Sequence, residues 1–450
     1  MVGLNSSNRK RAVMVYLHGG SFIMGGGASY FFGPNHIIQE DVLLVTLNYR
    51  LGAFGFLATD DRASAGNMGL QDQILALKWV KKHIAKFGGD PNKVTLFGED
   101  SGAASATLLA VSPSAHGLFQ SVMALSGNAL CDHYMQRNPQ ESALELAARL
   151  ECSGETGSDI MDCLRRQTQQ DIVKRSNDMF MFFSFPRWFA PNVDGHLIPE
   201  EPEELLQRGR FAKVPFIVGQ TKDEGAFFYR LTMNSFNNGV YDDNFLDHKL
   251  PRILPVLSSF NTKLYPITRQ VRKKYFVNVD MESEDEFRPR FVELLTDLMF
   301  TRCTDRFARI LANHSVPTYR YSFDYRGQYS IVNLQGEQVD MGVAHGDDLQ
   351  YIFHNVWGEE HEMSSSDNKF TKSIYAPLLA SFAKTRSETT GSKIFAVEKL
   401  FQNEYCITAY PHRKLLTAST SHGLLWHPTR TECSGSTRNC RSTTNGSKMP

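Results

Sequence analysis

One short stretch, VTLFGEDSGAAS at residues 94–105, constrains the fold of this chain more than any other part of the sequence. The β-rich run VTLF leads into Gly98, and the small and apolar residues from Ala103 onward predict a helix. Glycines stand two positions before and two positions after Asp100, so the backbone can turn sharply and hold that side chain up at the end of the strand. The pattern predicts a nucleophile elbow, with Asp100 at the apex where the usual G-x-S-x-G form has serine.

The rest of the chain alternates between strand-like and helical patterns, without internal repeats. A helix is predicted over residues 69–87 from the spacing of its apolar side chains, and a second helix follows the elbow. Nearly continuous apolar strands that alternate with helices are typical of a parallel sheet covered on both faces. We therefore expect an α/β fold with a mostly parallel central sheet. Its strands are predicted at residues 13–17, 42–47, 94–97, 121–125, 215–219 and 318–325.

Length and charge narrow the classes of function. The 450 residues are enough for a large core, and the pattern weakens from Arg386, so residues 1–385 are expected to form one domain and residues 386–450 a divergent, partly disordered tail. Lysine plus arginine and aspartate plus glutamate both number 48, which gives no reason to propose a nucleic acid partner. The sequence contains no apolar run of about 18 residues, so no transmembrane segment is expected. The apolar run near the N-terminus is too short for a signal peptide.

The cysteines and sequons bear on the compartment of the protein. Seven cysteines are too few for a disulfide scaffold and leave at least one unpaired. Cys152 and Cys163 flank a short polar loop, for which a disulfide and two free thiols are both open interpretations. Glycosylation sequons begin at Asn5, Asn313 and Asn445, and they matter only if the chain is exported.

An elbow nucleophile needs a base and a third group that orients the base, in the chain order nucleophile, acid, histidine. Glu224 follows the strand predicted at residues 215–219, at the end where parallel sheets keep their sites. His345 stands among small residues in GVAHGDD, in a loop that can approach the elbow. Taken alone, Glu224 reads as a solvated loop acid and His345 as a structural histidine.

Two further segments bear on the site. The loop HGGSF follows the first predicted strand, and it can aim the backbone N–H groups of Gly20 and Ser21 at a developing oxyanion, with the N–H of Ser101 as a third donor. Residues 180–189 contain many aromatic side chains. These side chains either line an apolar pocket or belong to the hydrophobic core, and a place in the core is the more common of the two.

The joint pattern resembles one family. The similarity is closest in residues 48–105, which read NYRLGAFGFLATDDRASAGNMGLQDQILALKWVKKHIAKFGGDPNKVTLFGEDSGAAS. Further landmarks stand in the same order as in the family: YLHGGSF, Pro191 with VDG at 193–195, VGQTKDEGAFF and GVAHGDDLQYIF. Over roughly residues 11–385 the chain resembles the type-B carboxylesterase and cholinesterase family of α/β-hydrolases, most of all its arthropod members.

This resemblance implies roles for the candidate residues. Glu224 and His345 fall on the family's triad acid and base, and Asp100 falls on its nucleophilic serine. Cys152 and Cys163 fall on one of the family's disulfides. The implied ligand is a small apolar ester or an ester-like molecule, and no metal or other cofactor is implied.

The same resemblance assigns the oxyanion hole and a location. Gly20, Ser21 and Ser101 fall on the family's oxyanion-hole positions, and Ser21 keeps a backbone donor where a third glycine is common. The family implies an extracellular protein, although this chain shows no signal peptide. Family members begin further upstream, with a secretion signal and edge strands, so the N-terminal edge strands of the sheet are expected to be missing here.

The substitution at position 100 decides the function. Ser101 is a poor replacement nucleophile because Glu99 and Ala103 would flank it instead of glycines. Attack by the Asp100 carboxylate on an ester would give a mixed anhydride that returns easily to reactants. Carboxylate nucleophiles do exist at this elbow in dehalogenase-like and epoxide-hydrolase-like members of the wider fold, where they attack an alkyl carbon.

Two classes of function therefore compete. In the first, ester hydrolysis is lost or severely impaired and the fold binds a ligand or a partner protein, as the catalytically silent adhesion members of the family do. In the second, the chain is an active hydrolase, either of a non-ester substrate through Asp100 or of carboxylic esters if the sequence misreports a serine at position 100. The retained Glu224, His345 and oxyanion loop favour an impaired enzyme that still uses its pocket.

Overall fold

The computed structural model describes residues 10–59, 63–154, 156–181, 184–236, 245–257, 268–333, 339–354, 356, 363–386 and 410–411. Within these residues a single sheet has the strand order β2-β1-β3-β4-β5-β6-β7. Strands β1 to β6 are parallel, and β7 is antiparallel to β6. The predicted α/β fold with a mostly parallel sheet is therefore confirmed. The strands are β1 Arg11–Leu17, β2 Leu43–Thr46, β3 Gly89–Glu99, β4 Ser121–Leu125, β5 Phe216–Thr221, β6 Thr318–Phe323 and β7 Tyr410–Pro411.

The α-helices lie between and after these strands, and several join through shorter turns. Single π-helical turns lie at Phe245–Lys249, Asp297–Thr301 and Thr371–Tyr375. The helices are α1 Gly52–Phe56, α2 Met68–His83, α3 Ser101–Val111, α4 Pro139–Arg149, α5 Gly157–Leu164, α6 Gln169–Asn177, α7 Pro202–Gln207, α8 Gly225–Phe236, α9 Leu250–Leu257, α10 Thr268–Tyr275, α11 Glu284–Thr296, α12 Arg302–Asn313, α13 Ser365–Phe370 and α14 Ala376–Thr385.

Both faces of the sheet are buried. Successive side chains of a strand point to opposite faces, and in β1 both alternating sets are apolar. Val13, Val15 and Leu17 pack into one core with residues of α2 and α3. Met14 and Tyr16 pack into a second core with residues of α14. Burial on both sides explains why the strands read as continuous apolar runs rather than as alternating patterns.

Two predicted boundaries differ from the structure by more than two residues. Strand β3 begins at Gly89, earlier than the predicted 94–97, because Gly89 pairs with Arg11 although the polar residues after it carry no β signal. The helix predicted over residues 69–87 is α2 from Met68 to His83, and its last predicted residues form a 3₁₀ turn that ends at Gly88 with φ 82°.

Two disulfides are present among the described cysteines. Cys152 and Cys163 are joined across the short loop that contains α5, with their Cα atoms 5.6 Å apart. Cys131 and Cys303 form a second disulfide, which was not predicted from the sequence and which joins residues 172 positions apart. This second bridge connects the loop after β4 to the start of α12.

Other sequence predictions fall largely outside the described residues. Of the predicted tail 386–450, the structure describes Arg386 and the strand β7. The sequons at Asn5 and Asn445 also lie outside, whereas Asn313 is the exposed last residue of α12. Within the described part of the chain, no helix is long and apolar enough to cross a bilayer.

The two disulfides give a prediction about stability. In the loop-entropy account, a bridge that closes a longer loop removes more entropy from the unfolded chain. We expect the change of Cys131 and Cys303 to serine to lower the free energy of unfolding by about 2 kcal/mol more than the same change at Cys152 and Cys163. Urea unfolding of both double variants measures the difference, and equal losses would contradict the prediction.

Candidate active site

The elbow forms where β3 meets α3. Asp100 has φ 54° and ψ −125°, a strained backbone for a residue with a side chain. The two glycines are required by close packing. A Cβ atom on Gly102 would lie 2.0 Å from the carbonyl oxygen of Leu17, and one on Gly98 would lie 2.4 Å from the carbonyl carbon of Gly102. Asp100 is therefore the side chain presented at the turn, and Ser101 is the fully buried first residue of α3.

The carboxylate of Asp100 is held by groups from two other segments. Its Oδ2 atom accepts hydrogen bonds from the backbone N–H groups of Gly20 at 2.9 Å and Ser21 at 2.8 Å. Its Oδ1 atom accepts a hydrogen bond from the hydroxyl of Tyr134 at 2.5 Å. Gly20 and Ser21 have φ values of 104° and 61°, a left-handed backbone in the loop after β1. Two of the three donors predicted for an oxyanion, Gly20 and Ser21, thus bind the side chain of the apex residue itself.

Glu224 and His345 meet beside this carboxylate. The Nδ1 atom of His345 lies 2.5 Å from Oε2 of Glu224. The other oxygen of Glu224 accepts hydrogen bonds from the hydroxyl of Ser126 at 2.5 Å and from the N–H of Thr221 at 2.7 Å. The geometry therefore fixes the imidazole through one nitrogen and turns its other nitrogen toward the elbow.

The second nitrogen of His345 faces two carboxyl groups. Its Nε2 atom lies 3.1 Å from Oε1 of Glu99 and 3.7 Å from Oδ1 of Asp100. Burial alone lowers the pKa of His345, but Glu99, Glu224 and Asp100 outweigh it and raise the pKa well above its usual range. Glu99 lies in the buried interior, which raises the pKa of its carboxyl well above the ordinary value despite the charge of His345.

Asp100 shows the opposite behaviour. Burial alone would raise the pKa of Asp100, but the nearby charge of His345, the charge of Arg187 and the hydrogen bond from Tyr134 hold it far below the usual range. These shifts favour a carboxylate at Asp100 and an imidazolium at His345, side by side. An imidazolium cannot accept a proton, so His345 in this state is not a general base.

Aromatic rings surround the histidine. The ring centroids of Phe227, Phe228 and Phe300 lie 5.9, 5.4 and 5.0 Å from that of His345. Of the aromatic residues at 180–189, Phe185 and Phe189 are buried, and residues 182 and 183 lie outside the described part of the chain. Among the described residues, no group of three or more histidine, cysteine, aspartate and glutamate side chains could hold a metal ion.

The structure thus brings together five of the residues singled out from the sequence, and it adds others. Asp100, Glu224 and His345 meet in that chain order, with Gly20 and Ser21 bonded to the apex. Three further residues act on this site without a role predicted from the sequence: Glu99, Tyr134 and Arg187. A role for Glu99 could have been predicted because it stands next to Asp100 in the sequence, whereas nothing in the sequence connects Tyr134 or Arg187 with the elbow.

Comparison with known proteins gives matches over most of the chain. A profile described as the Carboxylesterase family matches residues 3–414. Neuroligin-2 of Mus musculus is 33% identical over 344 residues, covering 76% of this chain and 40% of that protein. Carboxylesterase 1D of Rattus norvegicus is 33% identical over 359 residues, covering 77% of this chain and 61% of that protein. Carboxylesterase 1E of Mus musculus is 34% identical over 352 residues, covering 76% and 60%. The chain therefore spans about two fifths to three fifths of the length of these relatives.

The electrostatics of the site predict the protonation state of His345. We expect its imidazole to stay protonated at pH 7.5, because the surrounding carboxyl groups raise its pKa well above the usual value of about 6.5. Its contribution to stability is fully present below about pH 6.5 and is lost as the pH rises through the pKa of the folded state. Nitrogen NMR of the ring measures the titration directly. In Asp100→Asn, which keeps the shape and removes the charge, the midpoint should move to lower pH, and a neutral ring at pH 7.5 in the unaltered protein would contradict the assignment.

Proposed function

The chain belongs to the carboxylesterase family, and from this premise we propose that it is a member whose hydrolysis of carboxylic esters is lost or severely reduced. Its pocket then serves to bind a ligand without cleaving it. The observation that carries this proposal is the position of the Asp100 carboxylate, whose Oδ2 atom accepts the N–H groups of Gly20 and Ser21. A bound ester would need those same donors for its developing oxyanion.

The other requirements of acyl transfer point the same way. The apex residue carries no hydroxyl, and His345 beside it is held as a cation by Glu99, Glu224 and Asp100. Ester hydrolysis through an elbow needs a nucleophile, a free base and a free oxyanion hole. In this site the nucleophilic hydroxyl is missing, the pKa of His345 is raised so that its cation is favoured, and two of the three proposed oxyanion donors are occupied by Asp100. Removal of the nucleophile alone from a serine hydrolase lowers kcat by about a millionfold.

Nucleophilic attack by other groups is disfavoured. Ser101 is fully buried at the start of α3, so its hydroxyl does not take the apex position. Asp100 itself could attack an alkyl carbon through Oδ1, but that oxygen already accepts the short hydrogen bond from Tyr134. A carboxylate that is this strongly stabilised is a weak nucleophile. We therefore rank a hydrolase of non-ester substrates second.

We propose a small apolar ester or ester-like molecule as the ligand class, because Phe227, Phe228 and Phe300 provide an apolar surround at His345. A partner protein is the second candidate. It is favoured by the exposed Leu75 and Trp79, which lie one turn apart on α2 and are 68% and 46% exposed.

Two broader assignments are also proposals. An extracellular location is supported by the two disulfides, since such bonds persist mainly in oxidising compartments. The division into a hydrolase domain at 1–385 and a tail at 386–450 stays a prediction.

Restoring the hydroxyl tests the proposed function. We expect the purified protein to hydrolyse p-nitrophenyl butyrate no faster than Asp100→Ala, and we expect Asp100→Ser to hydrolyse it at least about a thousandfold faster than either. The serine variant supplies the nucleophile, frees Gly20 and Ser21 and removes one charge that keeps His345 protonated. Initial rates from the release of nitrophenolate measure the effect, with Asp100→Asn as the control that keeps the shape of the side chain.

A fluorophosphonate probe provides an independent check. It should label Asp100→Ser and leave the unaltered protein unmodified, because it reacts with activated hydroxyls. Hydrolysis by the unaltered protein at rates close to those of Asp100→Ser, or covalent labelling at Ser101, would overturn the proposed function.

A further inference from the structure

Arg187 is a buried cation next to the site, and the proposed function does not use it. Its side chain is among the largest that are almost completely buried, in the segment between α6 and α7. One terminal nitrogen, Nη1, donates to the hydroxyl of Ser184. The guanidinium carbon lies 4.1 Å from the centroid of the Phe185 ring, so the cation is stacked on an aromatic face.

The other edge of this guanidinium lacks a partner. Nε and Nη2 of Arg187 are buried, and neither has a hydrogen-bond partner among the described residues. A buried charge with unmade hydrogen bonds costs free energy, and such groups in native proteins normally satisfy a neighbour, a water or a ligand. Nε and Nη2 lie on one edge of the planar group, which is an edge that a carboxylate binds with two parallel hydrogen bonds.

Arg187 lies near enough to the elbow for its charge to act on residues there. Its charge helps to lower the pKa of Asp100 and is the second cause, after burial, that lowers the pKa of His133. The stacked Phe185 lies 6.1 Å from Phe228, which in turn contacts the ring of His345. Arg187 and His345 therefore lie against the same group of aromatic rings.

Asp100 does not satisfy Arg187. Its oxygens are taken by Gly20, Ser21 and Tyr134, and His345 is the cation beside it. Arg187 forms no ion pair with any described carboxylate, so no carboxylate in contact with it compensates its buried charge within the described part of the chain. The buried setting favours a flat, weakly hydrated anion with an apolar body over a compact, strongly hydrated one.

We propose that Arg187 binds the carboxylate of an apolar monocarboxylic acid, whose hydrocarbon part packs against Phe185 and Phe228. The proposal rests on the proposed function, because a site that no longer cleaves esters can retain a free acid as its ligand. A carboxylate accepts two charge-assisted hydrogen bonds from the Nε and Nη2 edge, whereas the corresponding neutral ester accepts weaker ones. The site should therefore prefer the acid to the ester of the same chain length.

Calorimetric titration of the full-length protein with octanoate and with methyl octanoate tests this preference. We expect octanoate to bind at least about tenfold more tightly than the ester, as one charge-assisted pair of hydrogen bonds accounts for that factor. In Arg187→Met, which keeps much of the apolar length and removes the charge, this preference should disappear. In Arg187→Lys, which keeps the charge without the planar fork, binding of octanoate should fall by a smaller factor.

Arg309 supplies the matched control, since it lies exposed on α12 and forms no ion pair within the described residues. Arg309→Met should keep the full preference for octanoate. Equal binding of acid and ester by the unaltered protein, no binding of octanoate, or an undiminished preference in Arg187→Met would each overturn the proposal. If Arg187→Met does not fold, the comparison of acid and ester on the unaltered protein and on Arg187→Lys still decides it.

The same samples separate this proposal from the proposed function. Release of methanol from methyl octanoate by the unaltered protein would overturn the loss of ester hydrolysis. The role of Arg187 would then be judged from octanoate alone, by the affinity of Arg187→Met relative to Arg309→Met. Failure of the proposed function is therefore detected by methanol release, and failure of the proposal for Arg187 is detected by the binding of octanoate.

Discussion

The hydrogen bonds from Gly20 and Ser21 to the Asp100 carboxylate join the loop after β1 to the turn after β3, and the chemistry of the site depends on this contact. It is possible only because Gly98 and Gly102 let the turn approach β1 within distances that no side chain would allow. The same close approach strains the backbone of Asp100. The backbone geometry of an elbow is thus retained around a carboxylate that accepts both N–H groups of the facing loop.

Two buried cations flank this carboxylate, and their surroundings differ. His345 is enclosed by Glu99, Asp100 and Glu224, so its charge is compensated within the fold. Arg187 has an aromatic ring and one serine as its neighbours and keeps one edge without a partner. The first arrangement favours the protonated form of His345, and the second leaves two N–H groups of Arg187 without a partner among the described residues. Under the proposed function, these electrostatics favour retention of an acid over cleavage of an ester.

The sequence was most informative where local backbone demands are strict. Glycine spacing identified the elbow, and the loops after β1, β5 and β6 supplied Ser21, Glu224 and His345 because each follows a strand at the same edge of a parallel sheet. Tyr134 and Arg187 were not found, since their importance arises from tertiary contact with an elbow that lies many residues away. The Cys131–Cys303 pairing was missed for the same reason, whereas the nearby Cys152 and Cys163 could be considered from their short separation. The early start of β3 depends on pairing with β1, and the polar residues at this start give no sequence signal for a strand.

The long-range disulfide has a consequence for the shape of the pocket. Cys131 lies three residues before Tyr134, which holds the Asp100 carboxylate, and Cys303 lies three residues after Phe300, whose ring faces His345. One covalent bond therefore joins the two segments that carry these site residues, although they come from distant parts of the chain. Segments that are joined in this way lose little conformational freedom when a ligand binds, so less of the binding free energy is spent on ordering them.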